Sequence, residues 1–261
     1  MIIAQLSDTH ILAGSAGHPM AASRAENLRR CIADINAHGA DAVIHTGDSV
    51  QHGLAEEYAD LRDIMAGLDA PLFLVPGNRD KREALRAAFG HYRYLPKDGD
   101  FLHYAIEGFP VRLIGLDSVD AGERKGAFCA ERCAWLEETL AQRPDKPTLL
   151  FLHHPPFDIA EPRYVHGYRR PQDAAALASV VGRHPQIRKM ICGHVHFAHH
   201  TAWAGTAAAT MPSVAADLRI GADAATDAAP LYFRHTVSDD GAFVSRAQIV
   251  ADRPVCVAGA A

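Results

Sequence analysis

Five apolar runs in this chain each end in a cluster of Asp, Asn or His, and that repetition constrains the architecture more than any other feature. Ile2–Leu6 leads into Asp8-Thr9-His10, and the run 41–45 into Thr46-Gly47-Asp48-Ser49. Residues 72–75 lead into Gly77-Asn78-Arg79-Asp80, Thr148–Leu152 into His153-His154-Pro155-Pro156, and 190–192 into Gly193-His194-Val195-His196. Short apolar runs bounded by turn residues read as buried strands of a largely parallel sheet. Ligands of such sheets bind beyond the carboxyl ends of the strands, so five ends bearing Asp, Asn and His imply one shared site. Asp48 is its expected centre, because the Gly47-Asp48 corner lets a carboxylate stand exposed at the end of a buried strand.

The segments between these runs supply helices. Residues 23–38 place Leu28, Cys31, Ile32 and Ile35 at helical spacing, with Ser23 as N-cap and Gly39 as terminator. Further helices are predicted at 54–67, 81–89, 131–142 (Trp135, Leu136 and Leu140 on one face) and 172–181. The first part is thus βαβαβ, which winds right-handedly. From residue 101 the pattern changes: 101–106 and 111–116, joined by Gly108-Phe109-Pro110, read as an antiparallel pair. Two short strands are expected within 201–211, then a small-residue loop at 222–229. Residues 231–237 and 242–250 form a hairpin through Asp239-Asp240-Gly241. Two β regions, each with helices alongside, predict an α/β fold, a four-layer α/β/β/α sandwich with a C-terminal β-hairpin at 230–251. A single domain over 1–261 is expected, frayed at 259–261. The hairpin alternates Tyr232, Arg234 and Thr236 against Leu231, Phe233 and His235. Such an edge either pairs with a second copy, giving a homo-oligomer, or extends the chain's own sheet.

Composition narrows the partners. At 261 residues, 48% hydrophobic and 22% charged, the chain suits one large globular domain. Its net charge of −5, with no basic run beyond Arg169-Arg170, lacks the footprint of a long nucleic-acid binder. No apolar stretch approaches the roughly 18 residues a membrane span needs. The first six residues read as a strand and not a signal peptide, so a cytoplasmic location is expected. Cys31, Cys129, Cys133, Cys192 and Cys256 fit no disulfide or zinc spacing, which agrees with a reducing compartment. Among 16 histidines, His10, His153, His194 and His196 stand in the strand-end clusters; the others need no more than surface or capping roles.

In an extended segment, residues two apart point the same way, so Asp8 with His10, and His194 with His196, can each aim two ligands at one side. With Asp48, Asn78 and His153 the chain offers seven candidate metal ligands, too many for one ordinary site and suited to two metals sharing a carboxylate. Asp48 is the natural bridge. Oxygen and imidazole donors without thiolate suit two divalent or trivalent transition-metal ions, Mn, Fe, Co or Zn. Two such ions roughly 3.5 to 4 Å apart would lower the pKa of a bridging water.

The ordered set Asp8-x-His10, Gly47-Asp48, Gly77-Asn78, His153 and Gly193-His194-x-His196 resembles the calcineurin-like metallophosphoesterase superfamily, over residues 1 to about 215. Residues 53–58, the stretch 117–126 followed by Trp135-Leu136-Glu137, and His153-His154-Pro155-Pro156 resemble its class III cyclic nucleotide phosphodiesterases and metal-dependent glycerophosphodiesterases. The resemblance implies one metal held by Asp8, His10, Asp48 and His196, and a second by Asp48, Asn78, His153 and His194. It implies hydrolysis of small organic phosphodiesters. Alternatives are a phosphomonoesterase on the same fold and a non-catalytic metal-binding scaffold. His154, beside the ligand position, is expected to support it or face substrate, and His52 is a further substrate-binding candidate. The chain departs from the family at Arg79, where histidine is usual. An arginine can bind a phosphoryl oxygen but cannot donate a proton at working pH. Alternatively Arg79 pairs with Asp80, and His154 supplies the proton. The loop 157–171, with Arg163, Tyr164, His166, Tyr168, Arg169 and Arg170, is either a lid over the site or a solvated surface loop.

Overall fold

A computed structural model describes residues 1–14, 17–160, 167–221 and 229–250. Arg163, Tyr164 and His166 of the expected lid, most of the 222–229 loop, Cys256 and the frayed end at 259–261 lie outside the described residues. The elements are, in order, β1 (Ile2–Leu6), α1 (Ala21–Ala37), β2 (Ala42–His45), α2 (Ala55–Met65), β3 (Leu72–Leu74) and α3 (Arg82–Phe89). Then come β4 (Tyr104–Ile106), β5 (Arg112–Leu116), α4 (Ala130–Ala141), β6 (Thr148–Leu152), α5 (Pro171–Gly182) and β7 (Ile187–Cys192). The order closes with β8 (His199–Trp203), β9 (Thr206–Thr210), β10 (Leu231–Val237) and β11 (Phe243–Ile249).

These strands form two sheets, ordered β11-β10-β1-β2-β3 and β4-β5-β6-β7-β9-β8. The β1-β2-β3 and β5-β6-β7-β9 ladders are parallel, so their carboxyl ends share one side of each sheet. Strand alternation shows how the layers stack. Leu149, Phe151, Leu113 and Ile191 join a core with Ile3, Leu6, Ile44 and the apolar faces of α1 and α2. Their neighbours Leu150, Leu152, Ile114, Met190 and Cys192 pack against Leu136, Leu140, Leu177 and Val181 of α4 and α5. The second sheet is therefore buried on both faces, by the first sheet on one side and by helices on the other. That is the expected four-layer sandwich.

The late hairpin extends the chain's own sheet. Strand β10 runs antiparallel to β1, with Ile3 opposite His235, and β11 forms the outer edge. Gly39, at φ 64°, ends the first helix region as expected. Its start differs: Ala21 N–H donates to the His18 carbonyl (3.0 Å), and this turn starts α1 two residues before Ser23, leaving Ser23 inside the first turn and not at the cap. Likewise β4 begins only at Tyr104, because Leu102 N–H is taken by the Asp117 carboxylate (3.0 Å) instead of a ladder. No helix among the described residues is long and apolar enough to cross a membrane.

Candidate active site

The residues after β1, β2 and β7 do not simply continue outward; the backbone turns back on itself at each. Of the six non-glycine residues with positive φ among those described, five are Asp8 (52°), His10 (45°), Asp48 (50°), His194 (74°) and His196 (60°). Each such conformation costs on the order of 1–3 kcal/mol and persists only where the surroundings enforce it. Here the enforcement is close packing against two glycines. A Cβ on Gly77 would lie 2.9 Å from His153 Cε1 and closer still to Asp48, and one on Gly193 would lie 2.6 Å from Asp8 Oδ2 and 3.0 Å from the Thr46 carbonyl. The glycines before Asn78 and His194 thus let the two sheets' corners interlock.

The side chains converge from both sheets. His196 Nε2 lies 3.2 Å from Asp8 Oδ1 and 3.3 Å from His10 Nε2. His153 Nε2 lies 3.2 Å from both Asn78 Oδ1 and His194 Nδ1. Between these groups stands Asp48, with Oδ2 3.7 Å from His10 Nε2 and Oδ1 3.4 Å from His153 Nε2. One oxygen of a single carboxylate faces each group. All seven residues expected to converge therefore do so. Asp8, His10 and His196, and separately Asp8, Asp48 and His153, have ligand atoms within 4.8 Å of one another.

Neighbouring groups fix how these side chains present their lone pairs. A carbonyl only accepts, so His153 Nδ1–H donates to Thr46 O (2.8 Å) and His196 Nδ1–H to Leu218 O (2.9 Å), which aims each Nε2 into the cluster. Ser7 Oγ and the His194 backbone N–H both donate to Asp8 Oδ2 (2.5 and 3.0 Å). Arg79 N–H donates to Asp48 Oδ1 (2.7 Å). Burial and the surrounding imidazoles hold His10 and His194 well below the usual histidine pKa. Burial opposes ionisation of Asp8, but His196 and the other imidazoles hold its carboxyl below the usual carboxylate range, while burial pushes Asp48 up against the pull of His153. The result is two carboxylates and several imidazoles turned inward within hydrogen-bond distance of one another; burial opposes the charged form of His196, but the Asp8 carboxylate beside it raises its pKa. Convergent buried oxygen and imidazole donors are a set that a cation satisfies, so the residues fit transition-metal ions.

Other expected residues take different places. Asp80 does not bridge to Arg79. Its Oδ2 accepts Gly77 N–H (2.9 Å) and Ser49 N–H (3.1 Å) and its Oδ1 accepts Tyr58 Oη–H (3.0 Å), tying the β2 and β3 corners together. Burial and the charge of Asp48 push the Asp80 carboxyl up to about 6. Arg79's side chain makes no hydrogen bond or ion pair with the described residues, so the proposed Arg79–Asp80 bridge is corrected. His154 is buried, its ring 4.5 Å from that of His194, and its Nδ1 lies 2.9 Å from Ser118 Oγ. Burial and the neighbouring His153 depress its pKa. His52 stands 55% exposed at the start of α2, with Nδ1 2.8 Å from Glu57 Oε1, and no contact joins it to the cluster among the described residues. Tyr168 is buried with its hydroxyl on the His154 carbonyl (3.5 Å), whereas Arg169 pairs with Asp120 at the surface.

Three supporting residues had no local signal in the sequence. Ser213 Oγ donates to the Asp8 carbonyl (2.7 Å) from 205 residues away. Arg24, buried in α1, donates to the His10 carbonyl (3.1 Å) and pairs with Asp217 (2.7 Å). Gln5 Nε2 donates to Thr46 Oγ1 and to the Cys192 carbonyl (both 3.1 Å), joining the strand that precedes Asp48 to the one that precedes His194.

A two-sheet sandwich with a buried Asp/His/Asn cluster at its strand ends defines a metal-dependent hydrolase. The chain belongs to the calcineurin-like phosphoesterase family, which it matches over residues 1–198. It is 38% identical over 231 residues to a probable glycerophosphodiester phosphodiesterase of Arcobacter nitrofigilis, covering 86% of this chain and 84% of that protein. It is 28% identical over 214 residues to the 3',5'-cyclic adenosine monophosphate phosphodiesterase of Escherichia coli K12, covering 81% and 75%. In fold it is similar to a dimetal phosphatase from Danio rerio, with a TM-score of 0.68, 15% identity and 96% of each chain covered.

Proposed function

We propose that the chain is a two-metal phosphodiesterase acting on small organic phosphodiesters of cyclic nucleotide or glycerophosphodiester type. The observation that carries this reading is the divided carboxylate of Asp48, one oxygen toward His10 and the other toward His153. Asp8, His10, Asp48 and His196 would hold one ion, and Asp48, Asn78, His153 and His194 the other. Such ions, Mn, Fe, Co or Zn, supply Lewis acidity that withdraws charge from phosphoryl oxygens and makes water a stronger acid. The chain's own residues do the rest. Ser7 and the His194 amide orient Asp8, the Thr46 and Leu218 carbonyls hold His153 and His196 in the ligating tautomer, and Asp80 pins the two corners on either side of Asp48. The guanidinium of Arg79, unpaired among the described residues and with its backbone already touching Asp48, is the group we assign to a substrate oxygen. The edge of β11, unpaired among the described residues, supports a homo-oligomer as part of the same proposal, and the cysteines among the described residues, Cys31, Cys129, Cys133 and Cys192, all free thiols, support a cytoplasmic location.

The second set should hold its ion less tightly. It shares its only carboxylate, Asp48, with the first set, which also has Asp8. Protein purified without added metal is expected to carry fewer than two ions, and Mn, Co or Zn should restore activity. A rate panel on cyclic AMP, a glycerophosphodiester, an aryl diester and an aryl monoester should then rank diesters first. Faster turnover of the monoester would indicate a phosphomonoesterase, and no turnover with any metal a binding scaffold.

Arginine in place of a proton donor has its own signature. It stabilises charge on phosphoryl oxygens but leaves the departing alkoxide unprotonated. Wild type should therefore favour aryl over alkyl diesters, and Arg79→His should narrow that ratio by about tenfold or more, since positioned acids contribute roughly 10²–10⁴-fold. Identical leaving-group dependence and pH profile in the two proteins would remove Arg79 from the reaction.

A further inference from the structure

We propose that the open seam between the two sheets, beside His196, receives one ester arm of the substrate, and that this arm is a planar, largely apolar group of nucleoside or aryl size, not glycerol. The inference rests on the phosphodiesterase reading above and deepens it. Its origin is the register of the late hairpin. Leu231 lies opposite Ile249, Phe233 opposite Ala247 and His235 opposite Ser245, so all six share the face turned toward the second sheet. At the His235 level the seam is closed: Lys189 Nζ of β7 lies 2.5 Å from Ser245 Oγ, and His235 reaches both Ser245 and Gln5. At the Leu231 level it is open among the described residues. A cavity of about 430 Å³ lies there, lined by His196, Phe197, Pro212, Ile220, Leu231 and Ile249, with Ala247 on its β11 wall.

Position and chemistry together point to an organic arm of the substrate. His196 belongs to both places: its Nε2 stands 3.2 Å from Asp8 Oδ1 within the cluster, and the residue also lines the cavity. Because His196 borders both, we place one ester arm of a phosphoryl group seated at the cluster in this cavity. The lining is mostly carbon, and the size lies within the range of small-molecule pockets, roughly 300–1,000 Å³. Arg219 is the charged member of the wall, but its Nε and Nη1 donate to the Ser213 and Ala229 carbonyls (both 2.8 Å), so it braces the loop. Ile249 leaves 48% of its surface exposed here, an apolar area that a flat ring would cover. Glycerol hydroxyls would give up water in the same place for few polar partners.

The test uses Ala247→Trp, which fills the cavity from an exposed edge strand, and Ile249→Ser, which strips its wall. With metal-reconstituted protein, Ala247→Trp should lower kcat/KM for cyclic AMP by about tenfold or more and leave glycerophosphoethanolamine within about threefold. Adenosine titrated into metal-free protein by NMR should bind wild type through shifts at Phe197 and Ile220, and bind either variant more weakly. Ile249→Ser carries the same readings if the tryptophan variant does not fold. Equal losses on both substrates, no loss on either, or adenosine binding that ignores both substitutions would overturn the seam assignment while the phosphodiesterase reading stands. Wild type that turns over no diester would sink that reading instead, and adenosine binding would still decide whether the seam takes a nucleoside.

Discussion

Asp48→Asn should lower kcat on an aryl diester by at least about a hundredfold and leave the purified protein with well under half the wild-type metal. Even residues that merely hydrogen-bond a metal ligand typically cost roughly 10–100-fold in metal affinity or activity when removed, and Asp48 stands between both groups of donors. Asn keeps the shape and the bond from Arg79 N–H but removes one of the two inward-facing carboxylates, so attraction for both ions falls at once. The metal-free fold should tolerate the change, because burial already disfavours the ionised form of Asp48. Metal analysis alongside thermal melts of metal-free protein separates these effects. An Asn variant that retains two ions per chain would show that Asp48 is not shared between them.

Gly193→Ala should destabilise the metal-free protein by roughly 2–3 kcal/mol and abolish most activity, since overpacking a filled core typically costs about 1–3 kcal/mol. The added methyl would meet Ser7 Oγ and Asp8 Oδ2 from one sheet and the Thr46 carbonyl from the strand beside it. Ser7 Oγ and Asp8 Oδ2 are side-chain atoms, but both chains are short, buried and hydrogen-bonded to each other, and Thr46 O is backbone. Asp8 is itself held in left-handed backbone, and Thr46 O already accepts from His153. Gly108→Ala is the matched control, because a Cβ there meets nothing within 4 Å. Urea denaturation of the two variants should separate them clearly; equal midpoints would mean that the corners can part without cost.

The five strand ends were legible because each joins an apolar run to a polar cluster, a local signal that needs no knowledge of the fold. The same locality explains the errors. Ser23 has the right chemistry for a cap, yet the turn at 18–20 had already started the helix. Asp80 sits next to Arg79 in sequence but turns inward to the corners, where two backbone N–H groups and Tyr58 outcompete a flexible guanidinium. Ser213, Arg24 and Gln5 were invisible for the opposite reason, since their partners lie tens to hundreds of residues away and no spacing rule connects them. His52 looked available from its position after Asp48, but only the structure reveals the Glu57 carboxylate that holds it.

The pairing of β10 with β1 also has a bearing on how the protein is made. Met1 and Val237 bond across 236 residues, so while the chain emerges from a ribosome β1 must wait with one backbone edge unpaired until the late hairpin appears. At about 5–20 residues per second that interval is on the order of ten seconds or more. Strand β2 can cover the other side of β1 early, but the open edge offers donors and acceptors to any passing strand throughout. The corner that carries Asp8 and His10 therefore belongs to a strand whose surroundings are completed among the last, and a nascent chain stalled before β10 would present a half-built cluster on an adhesive sheet.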